Sequence, residues 1–182
     1  MSIFEYIMVL TSIIIGLGIT ELLTGLVRIL RSTHKEGFFF PQAMWGLFIF
    51  LHLLIIWWTR WDLRHSIDWT FVQLLLSLTA PTLLFILAGL VFPHNRSSVD
   101  HYHRHRVSFF TIFSVVIFVD LIHEIFIEGS SLISPVSFIV AVALTSTLLC
   151  RFTTDNRIHG AAATITVATW TGYVLFVESL LK

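Results

Sequence analysis

Long runs of apolar residues alternate with short polar segments along the whole chain. Six of these runs approach the roughly 20 residues that a helix needs to cross about 30 Å of hydrocarbon. A transmembrane strand would instead show segments of about ten residues with strict alternation. The pattern therefore predicts an all-α polytopic membrane protein with one transmembrane domain over residues 1–182. The predicted helices are 3–30, 41–61, 69–92, 107–128, 132–152 and 158–181.

Two local features modify these helices. Pro81 lies in the middle of the third run, where it removes one backbone hydrogen bond and is expected to kink the helix. Gly18 and Gly25 lie seven residues apart in the first run, and small residues at such spacing let helices approach closely in lipid. The longest connection is predicted between Phe92 and Arg106.

The composition agrees with a chain whose solvent is largely lipid. Hydrophobic residues make up 56% of the sequence and charged residues 12%, whereas a soluble domain carries about 25% charged residues. Eleven basic residues balance eleven acidic ones, so there is no basic field for a phosphate backbone and nucleic acid is excluded as a partner. Cys150 is the only cysteine, which excludes an intrachain disulfide.

The distribution of Lys and Arg predicts the orientation. With six spans, one side of the membrane receives Arg28, Arg31, Lys35, Arg96, Arg104, Arg106, Arg151 and Arg157. The other side receives Arg60, Arg64 and Lys182. The positive-inside rule then places the odd-numbered loops in the cytoplasm and both termini outside. An aromatic belt at the outer interface is expected from Trp57, Trp58, Trp61 and Trp69.

The beginning of the chain resembles a known group of proteins. Phe4-Glu5-Tyr6, followed by the run from Ser12 to Thr20, is similar to the start of small uncharacterised bacterial integral membrane proteins. The resemblance covers the first helix and implies a location in the bacterial inner membrane. It implies no activity.

Ionisable residues within the apolar runs are the strongest sign of chemistry, because a charge at the bilayer centre costs about 2.5–3.5 kcal/mol on insertion scales. The fourth run holds Asp120, His123, Glu124 and Glu128. At 100° per residue they share one helix face. Other polar residues are expected in the same layer of the membrane, namely Glu5, Arg60, Asp62, Gln73 and Glu178.

Three interpretations of this layer remain open. In the first, Arg60 pairs with Glu124 or Asp120 and the polar groups only hold helices together. In the second, Asp120, His123 and Glu124 bind or relay a cation or proton, and Glu21 in the inner half of the first span lies on the same path. In the third, Asp120, His123 and Glu124 hold a divalent metal through oxygen and nitrogen ligands.

Two further residues have alternative roles. His52, near the middle of the second span, either hydrogen-bonds a neighbouring helix or binds a b-type haem together with His123. The depths of the two histidines, about 16 and 24 Å from the cytoplasmic ends of their helices, count against the haem. Glu21 is either a proton-carrying carboxylate or the partner of Arg28 or Arg151 in a salt bridge.

The third loop is rich in histidine and arginine. His101 and His105 would stand at i and i+4 if the fourth helix extended back into it, a spacing that suits a metal. The favoured interpretation is a cationic segment at the lipid headgroups. Its residues are Arg96, His101, His103, Arg104, His105 and Arg106.

These observations predict a small membrane transporter or channel for a cation or proton. The alternative is a non-catalytic membrane subunit or assembly factor, and a haem- or metal-binding membrane protein is a further alternative. The sequence contains none of the common nucleophile, phosphate-loop or zinc-hydrolase motifs, so no enzymatic activity is indicated. A homo-oligomer or a larger membrane complex is compatible with the short chain.

Overall fold

The computed structural model of the chain describes residues 3–31, 38–65, 69–93, 98–126 and 135–180. This part of the chain forms six α-helices and one 3₁₀ segment. The helices are α1 Ile3–Arg31, α2 Phe40–Thr59, α3 Phe71–Val91, α4 Ser98–Phe126, α5 Pro135–Phe152 and α6 Asn156–Leu180, and the 3₁₀ segment Arg60–His65 follows α2 directly. The all-α prediction is confirmed.

Four of the helices, α1 to α4, are long and apolar enough to cross a membrane. The apolar part of α5, Ser137–Phe152, is shorter than these four helices. Helix α6 contains 25 residues, and threonine and glycine residues recur among its apolar residues. The structure therefore supports a membrane protein with at least four candidate spans among its described residues.

The helices pack in a closed ring in the order α1, α3, α4, α5, α6, α2. Helix α2 also contacts α3 across the ring, and its side chains Trp45, Ile49 and Leu53 are completely buried. Trp45 packs edge-to-face against Phe110 and Phe113 of α4, with ring centroids 5.4 and 5.2 Å apart. Aromatic side chains from α2 and α4 thus form the centre of the core.

The bundle has two chemically different ends. One end is the end at which α1, α3 and α5 terminate, and we call it the basic end. The arginines that lie towards it are Arg28, Arg31, Arg106, Arg151 and Arg157. The opposite end carries the tryptophans Trp57, Trp58, Trp61 and Trp69, and we call it the tryptophan end. There Phe4, at the start of α1, packs against Trp61 and Trp69.

At the basic end, side chains from three helices bind carbonyls at the end of α3 or directly after it. Arg28 of α1 donates to the Pro93 carbonyl at 3.2 Å, and His101 of α4 donates to the Leu90 carbonyl at 2.9 Å. Gln42 of α2 donates to the Val91 carbonyl. The last carbonyls of a helix have no partner within the helix, so these contacts satisfy groups that would otherwise stay unpaired.

Glycine makes this junction possible. A Cβ atom on Gly25 would lie 2.5 Å from Cδ2 of Phe92, and one on Gly46 would lie 2.9 Å from Cζ of the same ring. Phe92 therefore fills the space between α1 and α2 that the two glycines leave. Gly18 likewise faces the interior, where a Cβ would lie 3.0 Å from Leu53.

The beginning of α4 differs from the prediction. The helix begins at Ser98 and not at residue 107, so most of the predicted third loop is helical. Apolar run length marks the part of a helix that lies in lipid, and a helix continues beyond it where its polar turns find partners. Tyr102 supplies such contacts, since it is buried and packs against Phe39 and His159.

Candidate functional site

The candidate site begins with a contact between α2 and α4, two of the helices that are long and apolar enough to cross a membrane. Nε2 of His52 lies 3.0 Å from Oδ2 of Asp120. The His52 side chain is 11% exposed and that of Asp120 is 30% exposed. The imidazole is thus enclosed, while part of the carboxylate remains accessible from outside the bundle.

Aromatic rings hold His52 in this orientation. Trp170 of α6 stacks on the imidazole with a centroid distance of 5.2 Å and an angle of 18° between the planes. Phe48, one turn earlier in α2, packs against the same imidazole at 5.4 Å. Nδ1 of His52 is buried and has no hydrogen-bond partner among the described residues. The ring therefore makes its polar contact to Asp120 through Nε2.

A second group surrounds Arg60, at the end of α2. The side chain is only 6% exposed, and its Nη1 donates to Oγ of Ser77 at 3.0 Å. Nη1 also contacts Nε2 of His123. Because a guanidinium only donates hydrogen bonds, Nε2 of His123 is the acceptor in this contact. One guanidinium therefore links the end of α2 to α3 and α4.

Pro81 explains why Arg60 binds α3 at this point. In an α-helix the N–H of residue 81 would donate to the carbonyl of residue 77, but proline has no N–H. Helix α3 runs through Pro81 without interruption, and Nη2 of Arg60 donates to the Ser77 carbonyl at 3.2 Å. The arginine thus satisfies the acceptor that the proline releases. The kink expected at Pro81 stays a prediction, and no pattern in the sequence indicated this contact with Arg60.

The structure divides the predicted site residues into separate groups. Asp120 contacts His52, whereas His123 contacts Arg60. Glu21 is half-buried on α1 and forms no hydrogen bond or ion pair with the described residues. Its candidate partner Arg28 instead binds the Pro93 carbonyl. Several predicted residues lie outside the described residues or have side chains outside them, namely Arg96, Asp62, Glu124, Glu128 and Glu178.

Two residues of the site were missed by sequence reasoning. Ser77 has one local signal, since it stands four residues before a proline. Trp170 has none, because its contact with His52 depends on how α6 is rotated against α2. The sequence predicts His52 as a haem ligand or as a contact to a neighbouring helix, and no pattern in it indicates Asp120 as the partner.

The residues offer limited support for a metal or haem. Among the residues that the structure describes, no three His, Cys, Asp or Glu side chains stand together as a metal site requires. Nε2 of His52 is engaged by Asp120 and Nε2 of His123 by Arg60, so in this conformation neither ring presents a free Nε2 to a shared haem. The metal and haem hypotheses stay predictions.

Among the described residues, His103, His105 and His159 of the basic end contact neutral groups. The hydroxyl of Tyr102 donates to Nδ1 of His159 at 2.6 Å, and Nε2 of His159 donates to the Thr153 carbonyl at 3.0 Å. His103 donates to Oδ1 of Asn156 at 2.8 Å, and His105 donates to the carbonyl of His101 at 3.0 Å. Several of the side chains predicted to contact lipid headgroups therefore form hydrogen bonds with other residues of the protein.

An apolar layer lies between the two polar regions. Trp45 and Phe48 occupy α2 between Gln42 and His52, and Phe110 and Phe113 occupy α4 between Tyr102 and Asp120. All four rings are at most 2% exposed, and they pack edge-to-face against one another. In this conformation the layer separates the His52–Asp120 contact from the basic end.

Comparison of the chain with protein-family models, with curated proteins and with solved structures gives no match.

Proposed function

We propose that this chain is a small transporter or channel of the bacterial inner membrane that carries a cation, most simply the proton. The proposal includes six membrane spans with both termini outside, as the charge distribution favours. The observation that supports it is the contact between His52 and Asp120. Two titratable side chains from different helices meet there at a depth where ionisable residues are costly and commonly mark proton or ion paths.

The pair is suited to hold and release a proton. A carboxylate and an imidazole in contact can share one proton, which lies either on Nε2 of His52 or on Oδ2 of Asp120. The partial exposure of Asp120 gives a proton from outside the bundle access to the carboxylate. Trp170 and Phe48 keep water away from the opposite face of the imidazole.

The position of Arg60 favours a proton over a metal cation. Its guanidinium occupies the acceptor nitrogen of His123, and a second cation bound there would experience like-charge repulsion. This removes His123 from a simple cation-binding set and makes it a neighbour of the pair. Asp120 and His52 are then the groups that exchange the proton, and Glu21 is assigned to the inner part of the path.

Transfer across the membrane requires the aromatic layer to move. The buried rings of Trp45, Phe48, Phe110 and Phe113 lie between His52 and the basic end on α2 and α4. Proteins that move ions commonly alternate between packed arrangements of the same helices. The structure then corresponds to a state in which the pair is accessible from the tryptophan end.

The test is proton flux into liposomes that contain the purified chain and a pH-sensitive dye. Asp120→Asn and His52→Gln are each expected to reduce the flux about tenfold or more, as loss of a proton-transfer group does. Asp100→Asn is the matched control, because Asp100 is exposed on the same helix. Undiminished flux in both site variants would remove the pair from the mechanism.

The second candidate, a non-catalytic subunit or assembly factor, is favoured by the contacts of Arg60. A guanidinium that binds a backbone carbonyl, a hydroxyl and an imidazole has the character of a contact that holds helices together. This function predicts no flux by the isolated chain and a stoichiometric partner that co-purifies from the native membrane.

A further inference from the structure

Arg106 is a charged side chain whose contacts are incomplete. Its Nε and Nη1 atoms are buried and have no hydrogen-bond acceptor among the described residues, although the side chain as a whole is only half-buried. The guanidinium lies close enough to Tyr102, Cys150 and His159 for its charge to act on all three. These residues place it between α4, α5 and α6 at the basic end.

The neighbours of Arg106 do not neutralise it. Arginine stays protonated in proteins, while phenol, thiol and imidazole groups in their ordinary states carry no negative charge at neutral pH. No carboxylate within the described residues forms an ion pair with it. Cationic nitrogen atoms that are withdrawn from water without a counter-charge are unfavourable, and a buried polar atom without a partner commonly indicates an ion or water that completes the site.

His103 supplies a second incomplete group beside it. His103 precedes Arg106 by three residues, so the two side chains are neighbours on one face of α4. Its Nε2 is engaged by Asn156, whereas its Nδ1 is buried without a partner. Two unpartnered nitrogen-bearing groups from adjacent turns thus face the same region.

We propose that Arg106 and His103 form a binding site for a phosphate group, supplied by a phospholipid headgroup or by free phosphate. The planar guanidinium matches the geometry of phosphate oxygens and can bind two of them at once. The Nδ1 atom of His103 adds a further donor in the form of the ring that carries a proton on both nitrogens. The site is independent of the proposed proton transport.

The depth of the site suits a lipid phosphate. Arg106 stands eight residues after the first residue of α4, or about 12 Å along the helix. The 29 residues of α4 extend over about 43 Å, which exceeds the roughly 30 Å of a hydrocarbon core. The first turns of α4 can therefore lie among the headgroups while its later turns lie in lipid.

Arg104 provides an internal comparison. It lies in the same segment and carries the same charge, but its side chain is exposed. A general attraction between basic residues and anionic lipid would involve both arginines to a similar degree. The proposed site requires Arg106 alone, together with His103.

The experiment measures binding to the full-length, delipidated protein in detergent by native mass spectrometry and by thermal unfolding. The probes are phosphatidylglycerol, the diacylglycerol with the same acyl chains, and inorganic phosphate. Phosphatidylglycerol is expected to bind and to raise the unfolding temperature. Arg106→Gln should weaken this binding about tenfold or more, as loss of a charge-assisted hydrogen bond does, and Arg104→Gln should leave it within about twofold.

The other outcomes are equally decisive. Competition by inorganic phosphate supports the site and identifies free phosphate as a ligand, while the lack of competition identifies the lipid as the source. Binding of diacylglycerol as tight as that of phosphatidylglycerol, or equal losses in the two glutamine variants, would overturn the proposal. If Arg106→Gln fails to fold, His103→Gln and Arg106→Lys replace it, and unchanged binding in both contradicts the site.

Discussion

The two polar regions of the bundle differ in what their side chains contact. Near the tryptophan end, His52 meets a carboxylate and His123 meets a guanidinium. At the basic end, His101 and His159 donate to backbone carbonyls, and His103 binds an amide oxygen. The first region joins titratable groups to charged or titratable partners. The second region mostly joins them to neutral partners.

This difference shows that the number of histidines is a poor guide to chemistry. The basic end contains more of them, but several satisfy the ends of helices and hold neighbouring helices together. Among the described residues, the region near the tryptophan end contains fewer histidines, and two of them contact charged or titratable side chains. The partner of a histidine therefore says more about its role than its abundance does.

The largest effect on stability is expected from Arg60→Ala. The change leaves Ser77 without two of its donors and creates a cavity, which together should lower the free energy of unfolding by about 3 kcal/mol. Thermal unfolding in detergent measures this loss. Arg64→Ala is the control, since Arg64 is exposed and stacks on Trp61, and it should cost less than about 1 kcal/mol. Equal losses of unfolding free energy in the two variants would show that the buried contacts of Arg60 stabilise the protein no more than those of an exposed arginine.

A smaller loss is expected at the basic end from Gly25→Ala. The new methyl group would overlap Phe92 and push the end of α3 away from the side chains that bind its carbonyls, at a cost of about 1–3 kcal/mol. Gly16→Ala is the matched control on the same helix, because nothing lies within 4 Å of a Cβ there. Comparable unfolding temperatures for the two variants would contradict the close packing described for this end.

Tyr102→Phe tests most directly whether the basic end contributes to stability without contributing to proton flux. Loss of the hydroxyl leaves Nδ1 of the buried His159 without its donor, which should cost about 1–2 kcal/mol while proton flux in liposomes stays unchanged. Asp120→Asn should show the opposite result, with reduced flux. Tyr6→Phe, at an exposed position, controls for the substitution itself. A loss of flux in Tyr102→Phe, measured on folded protein, would mean that the basic end takes part in transport.

The smallest effect concerns the coupling between Arg60 and Pro81. In Pro81→Ala the N–H of residue 81 can donate to the Ser77 carbonyl, so Arg60 is no longer its only donor. The loss caused by Arg60→Ala should then be about 1 kcal/mol smaller in the Pro81→Ala background than in the original chain. A double-mutant cycle of unfolding free energies measures this difference. Strict additivity would show that the two residues act independently.

Helix positions were predictable from the sequence because they depend on local patterns. Run length located the six helices, and apart from the beginning of α4 their ends lie within about three residues of the predicted ones. The beginning of α4 was not predictable in this way, since its polar turns are stabilised by Tyr102 and other contacts with distant residues. Hydropathy indicates whether a segment is suited to lipid or to water. It does not indicate the residue at which the helix begins.

The partners within the candidate site were less accessible to sequence reasoning. The contact of His52 with Asp120 depends on the rotation of α2 against α4, which no pattern along one helix determines. Arg60 was expected to pair with Glu124 or Asp120, and the first of these alternatives stays a prediction because the Glu124 side chain lies outside the described residues. The contacts of Arg60 with His123 and Ser77 were not predictable from the sequence. Glu21, identified by the same rule as Asp120, lies on a different helix and forms no polar contact with the described residues.

The bond between Arg60 and the Ser77 carbonyl suggests a rule for searching sequences of this kind. Every proline inside a helix leaves an acceptor at a fixed offset, on the residue four positions earlier. In a hydrocarbon solvent that oxygen must find a donor from another segment, and a long cationic side chain at the end of a neighbouring span can reach it. A proline in one span and an arginine flanking another are therefore a candidate distance restraint, available before any coordinates exist.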